Sequence, residues 1–247
     1  MLDRSRTNTS RWQWRLDHFL RGAKLGMPIF LGYVPVGAAF GIVATSIGFS
    51  TLQAVICSAT ALAGAGQFIA LAQMRAGESL LAVLAATTVV NLRYVLFAAT
   101  LSPHLRRLTL PKQAALAFTL TDETFAVNIN DRQGGLSTAS SMAGVGVIAW
   151  CGWVVGTALG ASMGGLIGDP SRWGVEFAMP AMFSALFVAL AQNYRHLIIG
   201  CVAGALAIGM PALSFVGIEV PSALYIIVSS MAAATIGALL YPDERWQ

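Results

Sequence analysis

Charge is what this chain lacks most. Of its 247 residues only 11% are Asp, Glu, Lys or Arg, where an ordinary soluble domain has about 25%. So little charge cannot clothe a water-soluble fold. Cysteine and histidine are equally scarce. Cys57, Cys151 and Cys201 lie far apart in apolar runs without a Cys-x-x-Cys pair, and the only histidines are His18, His104 and His196. That excludes a disulfide framework and leaves no set of metal ligands, so the cysteines read as packing residues and neither a metal nor a cofactor is expected. There is no P-loop, no Gly-x-Ser-x-Gly and no His-Glu-x-x-His, which argues against an enzyme and against an ATP-driven pump.

What the chain has instead is hydrocarbon. Apolar residues make up 56% of it, the mean hydropathy is +0.69, and apolar runs of about 20 residues are long enough to cross ~30 Å of lipid at ~1.5 Å per residue. The expected fold is all-α, a polytopic transmembrane helical bundle of about seven to eight spans, some broken or re-entrant. Candidate spans lie at 25–46, 51–74, 79–101, 113–130, 139–167, 173–192, 196–215 and 220–241. Residues 1–24 read as a cytoplasmic basic arm carrying a short amphipathic interfacial helix near 11–21, residues 25–241 as one transport domain, and 242–247 as a C-terminal tail.

The net charge of +4 does not point to nucleic acid. Six of the fifteen basic residues, Arg4, Arg6, Arg11, Arg15, Arg21 and Lys24, fall in the first 24 positions, which is a topology signal and places the N-terminus in the cytoplasm. The arm is too long for a signal peptide, and no small-residue cleavage site follows it. Eight full crossings then put Arg106, Arg107 and Lys112 outside, against the positive-inside rule. The conflict points to a segment in the first half that does not cross. Ala63-Gly64-Ala65-Gly66-Gln67 is the suspect, with small residues and a mid-segment amide suited to a broken helix lining a cavity, although a plain crossing helix is the leading expectation.

Two polar clusters sit where lipid should be. Arg93 falls near the middle of the third span with Asn91 beside it, and Asp122-Glu123 lies in the short fourth span among Thr119, Thr121 and Thr124. An unpaired charge near the bilayer centre costs ~2.5 to 3.5 kcal/mol, so these groups must meet one another, a watery cavity or a ligand. Consecutive carboxylates diverge by about 100° on a helix, so one can pair with Arg93 while the other faces a cavity and titrates. Arg93 with Asn91 and Gln67 suits a substrate carboxylate, and Asp122 or Glu123 suits an ammonium and proton coupling. The alternative is a static salt bridge between two helices, with Gln67 and Asn91 as helix-helix hydrogen-bonding groups. The first span, with Pro28, Pro35, Gly26, Gly32, Gly37 and Gly41, invites an unwound stretch, which adds Pro35 and Gly37 to the candidate substrate site. Met27-Pro28 and Met179-Pro180 are a weak echo of an inverted repeat. Gly152, Gly156, Gly160, Gly164 and Gly168 recur every fourth residue and mark a close helix contact, within this chain or with a partner.

At these residues the chain resembles the AzlC family of branched-chain amino-acid permeases. The matching strings are Gly32-Tyr33-Val34-Pro35-Val36-Gly37, Ala63-Gly64-Ala65-Gly66-Gln67-Phe68, Asn91-Leu92-Arg93-Tyr94, Thr121-Asp122-Glu123-Thr124-Phe125 and Phe177-Ala178-Met179-Pro180-Ala181-Met182-Phe183, in order over most of the chain. The resemblance implies a bacterial inner-membrane exporter of amino acids such as valine and leucine, working with a small hydrophobic AzlD-type subunit. Where the family usually has a histidine after this arginine, the chain has Tyr94, which leaves Asp122 and Glu123 as the proton carriers. The expectation is therefore a proton-coupled secondary transporter operating by alternating access around Arg93, Asp122 and Glu123. A passive channel for small neutral or zwitterionic solutes and a membrane scaffold with a structural ion pair are the rivals.

Overall fold

The computed structural model describes residues 4–167, 193–212 and 225–241, with isolated positions between 174 and 191. Most of the candidate span 173–192 therefore falls outside the described residues, as do the whole tail 242–247 and Gly168. The helices among the described residues are α1 Arg4–Ser46, α2 Thr51–Thr60, α3 Ala65–Arg75, α4 Leu80–Leu105, α5 Leu110–Phe118, α6 Asp122–Gln133, α7 Ala139–Ile167, α8 Tyr194–Gly209 and α9 Tyr225–Leu240. Four of them, α1, α4, α7 and α8, are long and apolar enough to cross a bilayer. The chain forms two compact units, 1–182 and 183–247.

In the first unit, α1 and α7 run side by side in the same direction, and glycine makes this possible. A β-carbon at Gly22 or Gly144 would run into backbone of the other helix near the start of the pair, and one at Gly156 or Gly160 would strike the Val34 or Ala38 carbonyl further along. Gly152 faces Phe30 and Gly164 faces Thr45. The four described members of the glycine ridge thus lie against α1 of the same chain, where small residues let two backbones close up and gain dispersion contact that lipid cannot supply. This seam also corrects the expectation of an unwound first span. α1 is one helix of 43 residues through both Pro28 and Pro35, and both prolines sit on its exposed face, so each missing hydrogen bond falls on the side away from α7. The stretch read as a separate interfacial helix is the beginning of this same helix.

The second and fourth candidate spans are not single helices. α2 and α3 have 10 and 11 residues, and α5 and α6 have 9 and 12. At ~1.5 Å per residue none exceeds about 18 Å, well short of the ~30 Å a crossing needs. The plain crossing helix expected for 51–74 is thus overturned. Ala61 leaves the helical region and Gly64 takes φ +42°, a conformation that favours glycine. In the other pair Thr121 is extended and caps α6 through a reciprocal box with Thr124.

The contacts fix how these half-helices run. The Thr51 hydroxyl donates to the Ala161 carbonyl, the Ser58 and Thr157 hydroxyls are 2.7 Å apart, and the Trp150 indole donates to the Ala59 carbonyl. α2 therefore descends along α7 from its far end to its middle, and α3 returns along α4. At the near end, Leu101 of α4 packs with Leu120 and Met142, beside Leu116 and Ile129. Arg21 of α1 is ion-paired with Asp131 near the end of α6. Thus α4 runs opposite to α1 and α7, α5 rises from the near end, and α6 goes back down. Each broken pair is a hairpin that starts and finishes at one end of the α1–α4–α7 trio, and the two enter from opposite ends. A long helix followed by a broken hairpin occurs twice, α1 with α2–α3 and α4 with α5–α6, in inverted orientation. Of the Met-Pro echo, Met27-Pro28 lies in α1, whereas Met179 falls outside the described residues.

In the second unit, α8 is capped by Asn193, whose side chain accepts from the Arg195 and His196 amides at 2.9 and 3.1 Å. It lies antiparallel to α9, with Gly237 against Ile199 and the Arg195 guanidinium 4.9 Å from the Tyr241 ring centre.

Candidate functional site

The tips of the two hairpins meet. Tyr33 lies twelve residues from both Arg21 and Thr45, about 18 Å along the axis in either direction, so its level is the middle of the bundle. There the break before α3 (Leu62, Gly64, Ala65) and the start of α6 (Thr121, Asp122, Glu123) face each other across a cleft closed by Tyr33, Trp153, Arg93 and Tyr94. The cleft has about 10 Å³ of space, room for one water. Its walls must part before anything as large as an amino acid can enter.

Each polar wall group has a specific partner. Arg93 Nη1 is 3.0 Å from Asp122 Oδ2, with both side chains less than a quarter exposed, and its guanidinium carbon sits 5.2 Å from the Tyr94 ring centre, a cation-π distance. The Tyr33 hydroxyl donates to Glu123 Oε2 and lies 2.8 Å from the Thr121 hydroxyl. Asp122 and Glu123 occupy the first turn of α6, where the helix dipole favours negative charge. α3 begins at Gly64 with no side-chain cap, so its positive end faces the cleft unscreened by a side chain.

Behind the cleft is a second layer. The Trp153 indole donates to Gln67 Oε1 at 3.0 Å, the same oxygen is 3.4 Å from the Ala63 amide, and Tyr33 packs edge-on to Trp153 with ring centres 5.4 Å apart. Gln67 is buried and ties the first break to α7. Asn91 packs against Gly66, where a β-carbon would sit 2.7 Å from its Oδ1, and that buried oxygen has no hydrogen-bond partner among the described residues. Of the substrate-site candidates, Arg93 lines the cleft beside Asp122 and Glu123, whereas Gln67 and Asn91 support it from behind. Pro35 and Gly37 do not line it: Pro35 is exposed, and a β-carbon on Gly37 would be 2.7 Å from the Trp153 carbonyl oxygen, so Gly37 is a packing residue.

Sequence reasoning missed Tyr33, Tyr94, Thr121 and Trp153 as wall residues. For Thr121 a signal existed: Thr121-Asp122-Glu123-Thr124 has a capping hydroxyl followed by first-turn acids, the pattern of a helix start inside an apolar segment. Nothing local marks Tyr33 or Trp153, which come together only through the α1–α7 seam. Among the described residues no group of His, Cys, Asp and Glu is placed to hold a metal.

These features define a multi-pass helical membrane protein with a charged cleft at mid-depth. The chain belongs to the AzlC family: the family described as AzlC protein matches residues 28–167, which include every wall residue of the cleft. The chain is 35% identical over 211 residues, 81% of its length and 86% of the relative's, to the inner membrane protein YgaZ of Escherichia coli (strain K12). It is 30% identical over 224 residues, 90% of this chain and 93% of the relative, to an uncharacterized membrane protein of Archaeoglobus fulgidus. Over 163 residues, 66% of this chain and 63% of the relative, it is 28% identical to the branched-chain amino acid transport protein AzlC of Bacillus subtilis (strain 168). No solved structure matches it.

Proposed function

We propose that this chain is the transport-bearing subunit of a proton-coupled exporter of branched-chain amino acids such as valine and leucine. The observation that carries the reading is the meeting of two inverted hairpins at mid-depth around Arg93, Asp122 and Glu123. Broken helices put helix termini where a substrate's charges must be held away from water. The substrate carboxylate goes to the start of α3 and Arg93, its ammonium to the α6 carboxylates, and its aliphatic side chain against Leu62, Tyr33 and Trp153. The name of the Bacillus subtilis relative supports the amino-acid class.

Alternating access follows from the architecture. Two hairpins entering from opposite ends bar the cleft from opposite sides, so a tilt of either one against the α1–α7 seam opens it to one side only. Charge distribution supports a cytoplasmic N-terminus in the bacterial inner membrane. Among the described residues of the first unit, the near end carries Arg15, Arg21, Lys24, Arg106, Arg107, Lys112 and Arg132, while the far end carries Arg75. With hairpins in place of crossings, the Arg106-Arg107-Lys112 cluster falls on the same side as the arm, as the positive-inside rule requires. The partner is a small hydrophobic AzlD-type membrane subunit.

The test is transport by the full chain reconstituted with and without a small partner subunit, following labelled valine under an imposed pH gradient. Uphill flux driven by the gradient is expected. Flux that only runs downhill would replace the exporter with a channel, and no flux with either preparation would leave a scaffold.

A further inference from the structure

The two adjacent carboxylates have different neighbours, and the difference assigns them different work. Asp122 is held by Arg93 at 3.0 Å. Glu123 receives its hydrogen bond from the Tyr33 hydroxyl, a neutral group, and no cation bonds it among the described residues. We propose that Glu123 is the carboxylate that a proton and the substrate's ammonium occupy in turn, with Tyr33 as the residue that positions it. This rests on the amino-acid reading above and adds which acid performs the coupling.

The groups facing Glu123 can be taken element by element. α1 brings Tyr33, α4 brings Arg93 and Tyr94, and α6 itself brings Asp122 and Thr121. From α7 comes Trp153, and the break before α3 contributes Leu62, Gly64 and Ala65, none of them ionisable. Arg93 is therefore the one cation lining the cleft among the described residues, and the carboxylate it is ion-paired with there is Asp122. Asp122 has a guanidinium as its counter-charge. Glu123 has a neutral hydroxyl and the amino end of α6 beside it and no side-chain cation paired with it among the described residues, so an exchangeable positive group can supply the counter-charge. A proton does so when the substrate is absent, and an ammonium does so when it is present.

The exchange balances. With Glu123 protonated, an amino acid enters, its ammonium displaces the carboxyl proton, and that proton leaves to the water on the side from which the amino acid came. The amino acid is a zwitterion of zero net charge, so loss of the proton leaves the site one unit more negative, with the substrate carboxylate held at Arg93 and the start of α3. On the opposite side a proton returns to Glu123 as the ammonium departs, so one proton moves one way for each amino acid moved the other. Tyr33, anchored on Trp153 and beside the Thr121 hydroxyl at 2.8 Å, keeps a hydroxyl on the carboxyl group in both forms: it donates to the carboxylate and accepts from the acid.

The full chain in detergent, titrated with valine alone across an acid-to-neutral series, tests this by calorimetry. If proton and ammonium share one carboxylate, the wild-type Kd rises about tenfold per pH unit on the acid side. Glu123→Gln should bind weakly at every pH with no slope, and Glu123→Asp should regain the slope. Should the Gln variant not fold, Tyr33→Phe decides, because loss of the hydroxyl must move the midpoint of the wild-type slope. A flat wild-type profile, a Gln variant that keeps the slope, or a Phe variant with an unmoved midpoint overturns the assignment while leaving the amino-acid reading intact. A wild type that binds no valine at any pH overturns that reading and this assignment together.

Discussion

The two hairpins share one construction and differ in chemistry. The first breaks at Ala61–Gly64 through a glycine at φ +42° and contributes no ionisable group to the cleft. The second breaks at Thr119–Thr121 through β-branched residues and opens α6 with Asp122 and Glu123. They are also fastened differently. A neutral amide, Gln67, holds the first to Trp153, whereas ion pairs hold the second at its tip, Asp122 to Arg93, and at its base, Asp131 to Arg21. One hairpin thus supplies a bare helix terminus and a neutral wall, and the other supplies charge. An inverted repeat whose halves carried the same charges would repel at the midplane, and the two halves avoid this by carrying different groups there.

The largest effect is expected where both hairpins depend on one support. Gly160→Leu would drive a side chain into the Ala38 carbonyl and separate α1 from α7, at a cost above about 3 kcal/mol. The variant should give little monodisperse protein by size-exclusion chromatography even when expressed alone. A normal yield would detach the seam from the hairpins' placement.

A smaller loss should single out the charged hairpin. Arg93→Ala leaves Asp122 without its cation, and allowing for partial exposure of the pair this costs about 2 to 4 kcal/mol. Valine flux should vanish, and the thermal midpoint in detergent should fall. Asp122→Asn in the same background should restore part of the midpoint without restoring flux. Unchanged flux in Arg93→Ala would take the guanidinium out of the substrate site.

The smallest effect is predicted for the neutral hairpin. Gln67→Leu leaves the buried Trp153 indole without an acceptor, worth about 1 to 3 kcal/mol. Because the amide lies behind the cleft, valine affinity should change less than stability does, as read by calorimetry beside a thermal melt. An affinity loss as large as that of Arg93→Ala would instead put Gln67 in the substrate's path.

Much of this protein is determined by its sequence alone. Scarce charge and long apolar runs require helices in lipid, and the cost of burying Arg93, Asp122 and Glu123 there requires that they find partners. The glycine spacing in α7 required a close neighbour. The misplaced Arg106-Arg107-Lys112 cluster already signalled that something in the first half does not cross. Residue patterns did not reveal which segments turn back, because an apolar stretch with a break in it has the same hydropathy as one without. The proline-rich first span misled for a related reason: whether a missing hydrogen bond unwinds a helix depends on what packs against the other face.

Tertiary structure alone decided the rest. That the ridge meets α1 in parallel, that two hairpins enter from opposite ends, and that Tyr33 reaches Glu123 across 90 residues are consequences of which helices lie together. A linear pattern records each helix's faces but not its neighbours. The different partners of two adjacent acids are the sharpest instance: Asp122 and Glu123 are near-equivalent in sequence, and they differ because about 100° of helix rotation turns one toward an arginine on α4 and the other toward a tyrosine on α1.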